Sequence, residues 1–523
     1  GLVLLIACGN LANLLLARAT GQRREMAVQV ALGASRGRLI RQQLAESALI
    51  AAAGGSFGIV LARLILAVVH VAQTSGLPRV TDLGVDGRVA GFGAAVTVGT
   101  LLLFGLAPAL RAAAADPSAD LQGTSRGGSR GRGTHRLNRA LIAAELAMAM
   151  TLATAAGLVL SSFAALRAID PGLDTENVLT LRVMPPADGY VGDRLVAYLD
   201  QVEQRLAALP GADAVGGIHL LPFTIGSWNF PYLAEGRAPP GNAPLPAASF
   251  RITTPGYLRA AGQPLIAGRT FTAADRERTQ RVMLINERMA RELWPAEDAI
   301  GREIRIFGNM PHRVVGVVGD VRQFALEREP GPEMYVPVAQ WAGRGRSMVF
   351  LLRSPHALAL GQAARTAVAA IDRTVPIVDV RPFDEALGES IAGRRFIALV
   401  IASFGALALL LGAAGIYGVM SNMIGARMPD FGIRLALGAE RREVLWQALR
   451  AGLTPSLIGL ALGVATSIAL ADMLRGLLFG IPPLHVPTYI AAAAVLLVVA
   501  TAASWIPAWR AARTDPLSVL RAE

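Results

Sequence analysis

Two ionisable residues, Glu145 and Arg63, stand inside otherwise apolar runs of this 523-residue sequence. A charge in such a run is costly enough to require either a function or a partner. A carboxylate there could relay protons, but it could equally snorkel to a surface or pair with a neighbouring helix. Glu145 lies only six residues past Arg139, close to the end of its run. Asn10 and Asn13, in another apolar run, read as hydrogen-bonding glue between helices. Elsewhere the reactive residue types are not assembled. The six histidines (70, 135, 219, 312, 356 and 485) show no His-x-x-x-His spacing, and the single cysteine, Cys8, gives them no thiolate partner for a zinc site. No Gly-x-Ser-x-Gly elbow occurs, and Asp298, Asp320 and Glu333 read as strand-end or turn residues. All 50 basic residues are arginine, so the lysine of a Gly-x-x-x-x-Gly-Lys-Ser/Thr phosphate loop is absent. These residues argue against an enzyme, and against a metal or nucleotide site of that class in the chain itself.

What the sequence does contain is a repeat. Met26-Ala27-Val28-Gln29-Val30-Ala31-Leu32-Gly33-Ala34-Ser35-Arg36 returns as Phe431-Gly432-Ile433-Arg434-Leu435-Ala436-Leu437-Gly438-Ala439-Glu440-Arg441. At the same offset of 405, Gly54 and Gly58 correspond to Gly459 and Gly463. Both copies close alike, with Pro108-Ala109-Leu110-Arg111 before Asp116-Pro117 and Pro507-Ala508-Trp509-Arg510 before Asp515-Pro516. A repeat enclosing several apolar runs is the pattern of a duplicated membrane module. Gly33 and Gly438 follow apolar stretches and precede amphipathic ones, as a helix break or tight turn requires. Arg23, Arg24, Glu25, Arg36, Arg38 and Arg41 give the first copy a charged face; Asp430, Arg434, Arg441 and Arg442 do so for the second. Such a face could rest on anionic lipid or receive another protein. The glycine pairs Gly54/Gly58 and Gly459/Gly463 are small-xxx-small spacings suited to close helix packing.

The elements that must position these residues follow from hydropathy. The chain is 53% hydrophobic with a mean hydropathy of +0.45, concentrated in blocks near the ~20 residues that cross ~30 Å of hydrocarbon. Residues 1–17, 47–69, 89–110, 146–166, 396–426, 451–471 and 486–509 predict seven spans, of which only 47–69 holds a charge, Arg63. Loops 18–46, 111–139 and 427–450 with the tail 510–523 carry 20 arginines, against Arg79, Arg88 and Arg475 in loops 70–88 and 472–485. That asymmetry puts the repeated segments in the cytoplasm and residues 167–395 outside it. The net charge of +12 is thereby explained without nucleic acid. In the stretch Gly123–Arg139 the five arginines have no aromatic residue to stack bases, so it reads as a connector touching lipid headgroups.

The expected domains are a first module over 1–115, a linker over 116–138, a membrane helix over 139–166, an outer domain over 167–395 and a second module over 396–523. The outer domain reads as α/β, with strands at 178–183, 213–219, 248–253, 302–307, 312–320, 333–337, 347–353 and 376–380. Helices are predicted at 194–209, 286–294 and 358–371 and from Phe383 into the membrane. By symmetry with the second half, one more helix and a first outer domain are expected upstream of Gly1.

Several stretches resemble known families. "ALGASRGRLIRQQLAESALIAAAGG" and "RLALGAERREVLWQALRAGL" resemble the FtsX-like permease domain. "PGYLRAAGQPLIAGRTFTAADR", "VMLINERMARELWPAEDAIGREIRI" and "VVGVVGDVRQFALEREPGPEMYVPVAQ" are similar to the MacB-type periplasmic core domain. "RRFIALVIASFGALALLLGAAGIYGV" resembles the entry to the second permease domain. With both modules duplicated and no nucleotide-binding domain, the chain most resembles the duplicated orphan permeases of acidobacteria. The resemblance implies a multi-pass protein of a bacterial inner membrane, the permease half of an ABC-type exporter or mechanotransmission complex. Its ATP would be bound by a separate ATPase subunit, docked on Arg23, Arg24, Glu25, Leu32, Gly33, Ala34 and Arg36 and on Asp430, Arg434, Leu437, Gly438, Ala439, Arg441 and Arg442. The lipid bilayer and a periplasmic adaptor or envelope cargo are the other partners it implies. A non-transporting regulator of cell-wall hydrolases, or a structural or signalling membrane protein, are the alternatives.

Overall fold

The computed structural model describes residues 1–11, 35–72, 84–102, 130–224, 226–237, 244–341, 346–425 and 427–513. Within them the chain divides into two compact units. One holds the described residues of 1–72, 84–165 and 394–513; the other holds those of Leu166–Gly393.

The first unit is helical. Five helices among the described residues are long and apolar enough to cross a membrane: Leu44–Ala67, Asn138–Arg167, Phe383–Gly425, Arg441–Leu477 and Val486–Ala512. The other two expected spans are described only in part, as the apolar helix Leu2–Leu11 and the helix Gly87–Leu101; residues 12–17 and 103–110 lie outside the described residues. Asp86 caps the Gly87–Leu101 helix, its carboxylate accepting the N–H of Val89 at 2.8 Å. The helix around Glu145 begins at Arg130, within the stretch read as linker. Once an apolar span is helical, each further residue adds a hydrogen bond without a new nucleation cost. The core of this unit gathers Ile142, Leu146 and Met150 with Ala408, Ile416, Met420, Leu449, Leu496 and Ala508.

The second unit is α/β, with eleven strands among the described residues. β1 (Val178–Val183), β2 (Ala214–Ile218), β10 (Met348–Arg353) and β11 (Ile377–Pro382) form one antiparallel group in the order β11-β1-β10-β2. The helices Asp193–Ala207 and Gly361–Ala369 join β1 to β2 and β10 to β11, two split β-α-β units. In Asp193–Ala207 the residues Leu195, Val196, Leu199, Val202 and Leu206 recur at helical spacing and are buried in the core with Leu181, Phe350 and Leu352.

Between β2 and β10 the chain builds a second group: β3 (Asn229–Ala234), β4 (Ala247–Thr253), β5 (Leu265–Gly268), β6 (Val282–Asn286), β7 (Glu303–Ile306), β8 (Met310–Val318) and β9 (Glu333–Pro337). The pairings β4–β3, β3–β7, β7–β8, β8–β6 and β6–β9 return to β4 through the parallel pair β9–β4, so six strands close a ring. β5 adds to β8 outside the ring. Phe230, Phe250, Phe307 and Trp341 meet in edge-on and tilted pairs, with centroids 4.3–5.6 Å apart. Of these elements, β3, β5 and β6 and the short helix Tyr257–Ala261 were not expected from the sequence.

Candidate functional site

The second repeated segment folds into a helical elbow. Its first limb is the helix Met428–Ala436, opened by Pro429 and Asp430, residue types that suit a first turn because one needs no N–H partner there and the other complements the helix dipole. Phe431 is buried, in a cluster with Val444, Ala448, Leu449, Ala508 and Ala511, and Met428 and Leu435 pack on the same cluster. The opposite face carries Ile433 and Arg434 and ends at Leu437, which is 82% exposed.

Gly438 makes the turn, at a φ of +95°, where a side chain would be strained. Around it Gly438 N–H donates to Leu435 O at 3.1 Å and Ala439 N–H reaches back to Arg434 O at 3.0 Å, closing the helix in the six-to-one manner of a glycine C-cap. The extended Glu440 then starts the long helix Arg441–Leu470. Arg434 Nη1 donates to Gln447 Oε1 at 3.2 Å, linking the two limbs. The outcome is a surface of Arg434, Leu437, Arg441, Arg442 and Trp446, all exposed, with Asp430 exposed on the first limb. The turn expected at Gly438 is therefore present. In the first copy Arg23, Arg24, Glu25, Leu32, Gly33 and Ala34 lie outside the described residues, and Arg36 opens the helix Arg36–Ala72.

The glycine pairs of the two copies differ in surroundings. A Cβ on Gly459 would stand 2.5 Å from Ala143 O and 2.9 Å from Leu146 Cβ; one on Gly463 would stand 2.5 Å from Met150 Cβ and 2.9 Å from Ala147 O. Both sit against the helix Arg130–Arg167 at a distance only glycine allows. A Cβ on Gly54 or Gly58 would meet nothing of the described residues within 4 Å beyond its own helix backbone; one on Gly55 would stand 3.1 Å from Thr97 Oγ1.

Glu145 is buried beside Asn10, and a methyl on Gly415 would collide with both side chains. Asn10 Nδ2 donates to Leu411 O at 2.7 Å, so this residue does bond across helices. Arg63 is exposed, and Asn13 lies outside the described residues.

In the outer domain Asp298 and Asp320 serve turns and strand ends: Asp298 Oδ1 accepts Ile300 N–H, while Asp320 accepts Asn286 Nδ2 and Arg288 N–H and pairs with Arg291 at 2.8 Å. Glu333 also opens a strand, but it is buried within a polar network that the sequence reading missed. Its Oε2 accepts Tyr335 Oη at 2.7 Å and Gln323 Nε2 at 3.1 Å, and the buried Arg251 lies on the paired strand β4. Burial pushes its pKa up to about 7, against the attraction of Arg251. His219 and His312 are held neutral by burial, at about 3 and about 4, and His219 Nδ1 accepts Ile252 N–H at 3.0 Å.

Comparison with known proteins accounts for most of this chain. Residues 1–117 and again 402–516 match the family model of the FtsX-like permease C-terminal region, and residues 141–370 match that of the MacB-like periplasmic core domain. The pyoverdine export ATP-binding/permease protein PvdT of Pseudomonas putida is 28% identical over 279 residues, 50% of this chain and 41% of its own length. The macrolide export ATP-binding/permease protein MacB of Escherichia coli is 25% identical over 287 residues, covering 53% and 44%. The chain thus spans less than half the length of these curated relatives. Among solved structures, the periplasmic region of MacB from Actinobacillus actinomycetemcomitans is 16% identical, covering 43% of this chain and 94% of that one at a TM-score of 0.28.

Proposed function

We propose, for a multi-pass inner-membrane chain that carries FtsX-like permease segments and a MacB-like periplasmic core domain, that it is the permease subunit of an ABC-type complex whose ATPase is a separate polypeptide. The elbow at Gly438 is the reading's main support. Its apolar anchor Phe431 is buried while Leu437, Arg434, Arg441 and Arg442 face outward, the arrangement of a lever presented to another protein rather than of a packed connector. The relatives named above combine ATP-binding and permease functions in one protein; here the ATP-binding function would reside in the partner. The first repeated segment, with Arg23, Arg24, Glu25, Leu32, Gly33, Ala34 and Arg36, would offer the second docking site, and the two modules would together make seven spans.

In this reading the ATPase pushes on the elbow, and the push travels along the helix Phe383–Gly425. That helix has 43 residues and no proline, about 65 Å of unbroken backbone at 1.5 Å per residue. It begins directly after β11 and ends at Gly425, two residues short of the helix Met428–Ala436, and in this reading would carry ATP-driven motion towards the periplasmic side.

Co-purification tests the proposal. The full chain, expressed in its native host, should retain an ABC ATPase subunit, and Arg441→Glu with Arg442→Glu should release it while leaving the solubilised permease monodisperse. Charge reversal at Arg288, an exposed arginine of the outer domain, should not release it. Loss of neither, or failure to retain any ATPase, would overturn the assignment.

A further inference from the structure

In the parallel pair β4–β9 alternate residues face opposite ways. Phe250, Ile252, Met334 and Val336 enter the apolar core; Ser249, Arg251, Glu333 and Tyr335 lie on the other face, with Ser249 opposite Glu333 and Arg251 opposite Tyr335. That second face is buried too, Arg251 being 2% exposed and Glu333 1%. It forms a polar layer inside the outer domain, where each donor needs an acceptor. Glu333 is supplied by Tyr335 and Gln323. Arg251 is not: its Nε is buried without a partner, and no carboxylate pairs with it among the described residues. Two donors near it are also unspent. His219 Nδ1 accepts the N–H of Ile252, the strand neighbour of Arg251, so the neutral ring carries its proton on Nε2, which is buried and unpartnered. Tyr257 stacks on Tyr335 with centroids 6.5 Å apart, and its buried Oη has no partner either. Burial first and then the Arg251 charge hold His219 neutral, and that charge reaches Tyr257 as well.

Two amide oxygens of the layer, Gln263 Oε1 and Gln323 Oε1, are unspent as well. A guanidinium buried without an acceptor costs far more than an amide oxygen without a donor, so the charge decides what the layer lacks. Phe324, 39% exposed, lies over the guanidinium, its centroid 6.0 Å from Cζ, so one ring separates Arg251 from solvent. We propose that Arg251, His219 Nε2 and Tyr257 Oη form a binding site for one small carboxylate or comparable oxyanion, which enters beside Phe324. A guanidinium offers such a group parallel N–H donors, and the two neutral donors suit its remaining lone pairs. Water could meet the donors one at a time but brings no charge to offset Arg251. Glu333 does not bring it below neutral pH, because burial, against the attraction of Arg251, raises its pKa to about 7. The titratable and charged groups around Glu333 are Arg251, Tyr335, Tyr257 and Asp320, with His219 next to Arg251. A bound oxyanion joins Asp320 in favouring the protonated carboxyl, so its affinity falls as pH rises past about 7. The proposal is independent of ATPase docking.

Acetate tests it, with acetamide as the neutral molecule of the same shape. The detergent-solubilised full chain is titrated with each at constant ionic strength while melting temperature and tryptophan emission are read; Trp228 packs on His219 with centroids 4.7 Å apart and reports on that ring. Acetate should give a saturable response that acetamide does not, and the response should weaken as pH is raised past about 7. Arg251→Gln should weaken acetate binding about tenfold or more, and Tyr257→Phe, which removes one hydroxyl, several-fold. Arg313→Gln, at an exposed arginine of β8, should leave it unchanged. Should Arg251→Gln not fold, Tyr257→Phe carries the test. Equal, non-saturating responses to acetate and acetamide would overturn the proposal and leave the layer to water, as would acetate binding undiminished in Tyr257→Phe. An emission change that survives Trp228→Phe in full would place acetate elsewhere, with the same consequence.

Discussion

Replacing Gly459 and Gly463 by alanine should destabilise the membrane unit, while the same change at Gly54 and Gly58 should not. At the first pair each added methyl would lie 2.5 Å from a heavy atom of the facing helix, Ala143 O in one case and Met150 Cβ in the other. Ordinary van der Waals contact begins near 3.4 Å, so the helices must part by about 1 Å or side chains must leave their rotamers, at about 1–3 kcal/mol per site. Helix propensity works the other way, favouring alanine over glycine by about 1 kcal/mol per site. The clash therefore wins by roughly 2 kcal/mol for the pair. At Gly54 and Gly58 no described residue would clash and the propensity gain remains, so the double variant should match or exceed the parent. The measurement is the apparent melting temperature and the half-life at fixed temperature of the detergent-solubilised chain, compared between the two double variants. If the Gly459→Ala, Gly463→Ala protein proves as durable as the Gly54→Ala, Gly58→Ala protein, the close approach of the helices is not what those glycines provide.

Three further outcomes follow from the outer domain and the elbow. Glu333 in the fold keeps a proton up to about pH 7 that the unfolded chain loses near pH 4.5, so its contribution falls as pH rises through that window; His219 and His312 stay neutral where the unfolded chain protonates below pH 6.5, so theirs falls as pH drops. Between pH 6.5 and 4.5 acidification thus costs the two histidine contributions and regains that of the carboxyl, and Glu333→Gln, which removes the regained part, should make stability fall more steeply with acid in thermal scans across pH; an unchanged slope would contradict the burial of that carboxyl. Gly216→Ala places a methyl against the backbone of Gly256 and Tyr257, and should cost more than about 3 kcal/mol, read as loss of folded protein at 37 °C, since neither backbone can yield cheaply. Phe431→Ala should destabilise by about 3 kcal/mol and Gly438→Val by about 1–2 kcal/mol, whereas Leu437→Ala should leave the melting temperature unchanged and weaken only ATPase retention.

Five of the membrane helices and the elbow of the second copy were legible because each depends on a local signal. Uncharged runs of helical length show themselves in composition, and Gly438 follows an apolar stretch at the one point where a left-handed residue can end the helix. Most outer-domain strands were legible for the same reason. β3 was not, because Pro231 stands in its middle and argues against a strand; it is tolerated where Pro231 faces Ala247 near the end of a short ladder. β5 has only four residues, all exposed, and carries no alternation to read. The buried setting of Glu333 depends on Arg251 and Gln323, which strand pairing and loop packing bring near it, and the sequence around Glu333 does not signal that. Gly54 and Gly459 are the sharpest case. They share a spacing and a repeated context, yet Gly459 is pressed against a carbonyl of the facing helix while Gly54 has no such neighbour among the described residues, a difference that spacing alone does not carry.

The ring formed by β3, β4, β6, β7, β8 and β9 has a consequence for how the outer domain can be taken apart. A strand in an open sheet can peel from its edge, breaking one ladder at a time; a strand in a ring is laced on both sides, and the parallel pair β4–β9 is the clasp. Arg251 and Glu333 sit, both buried, on those two clasped strands, so the polar network around Glu333 and the closure stand or fall together. Pulling on the two ends of this domain would therefore load β1 and β11, which pair with each other, and leave the ring intact rather than unravelling.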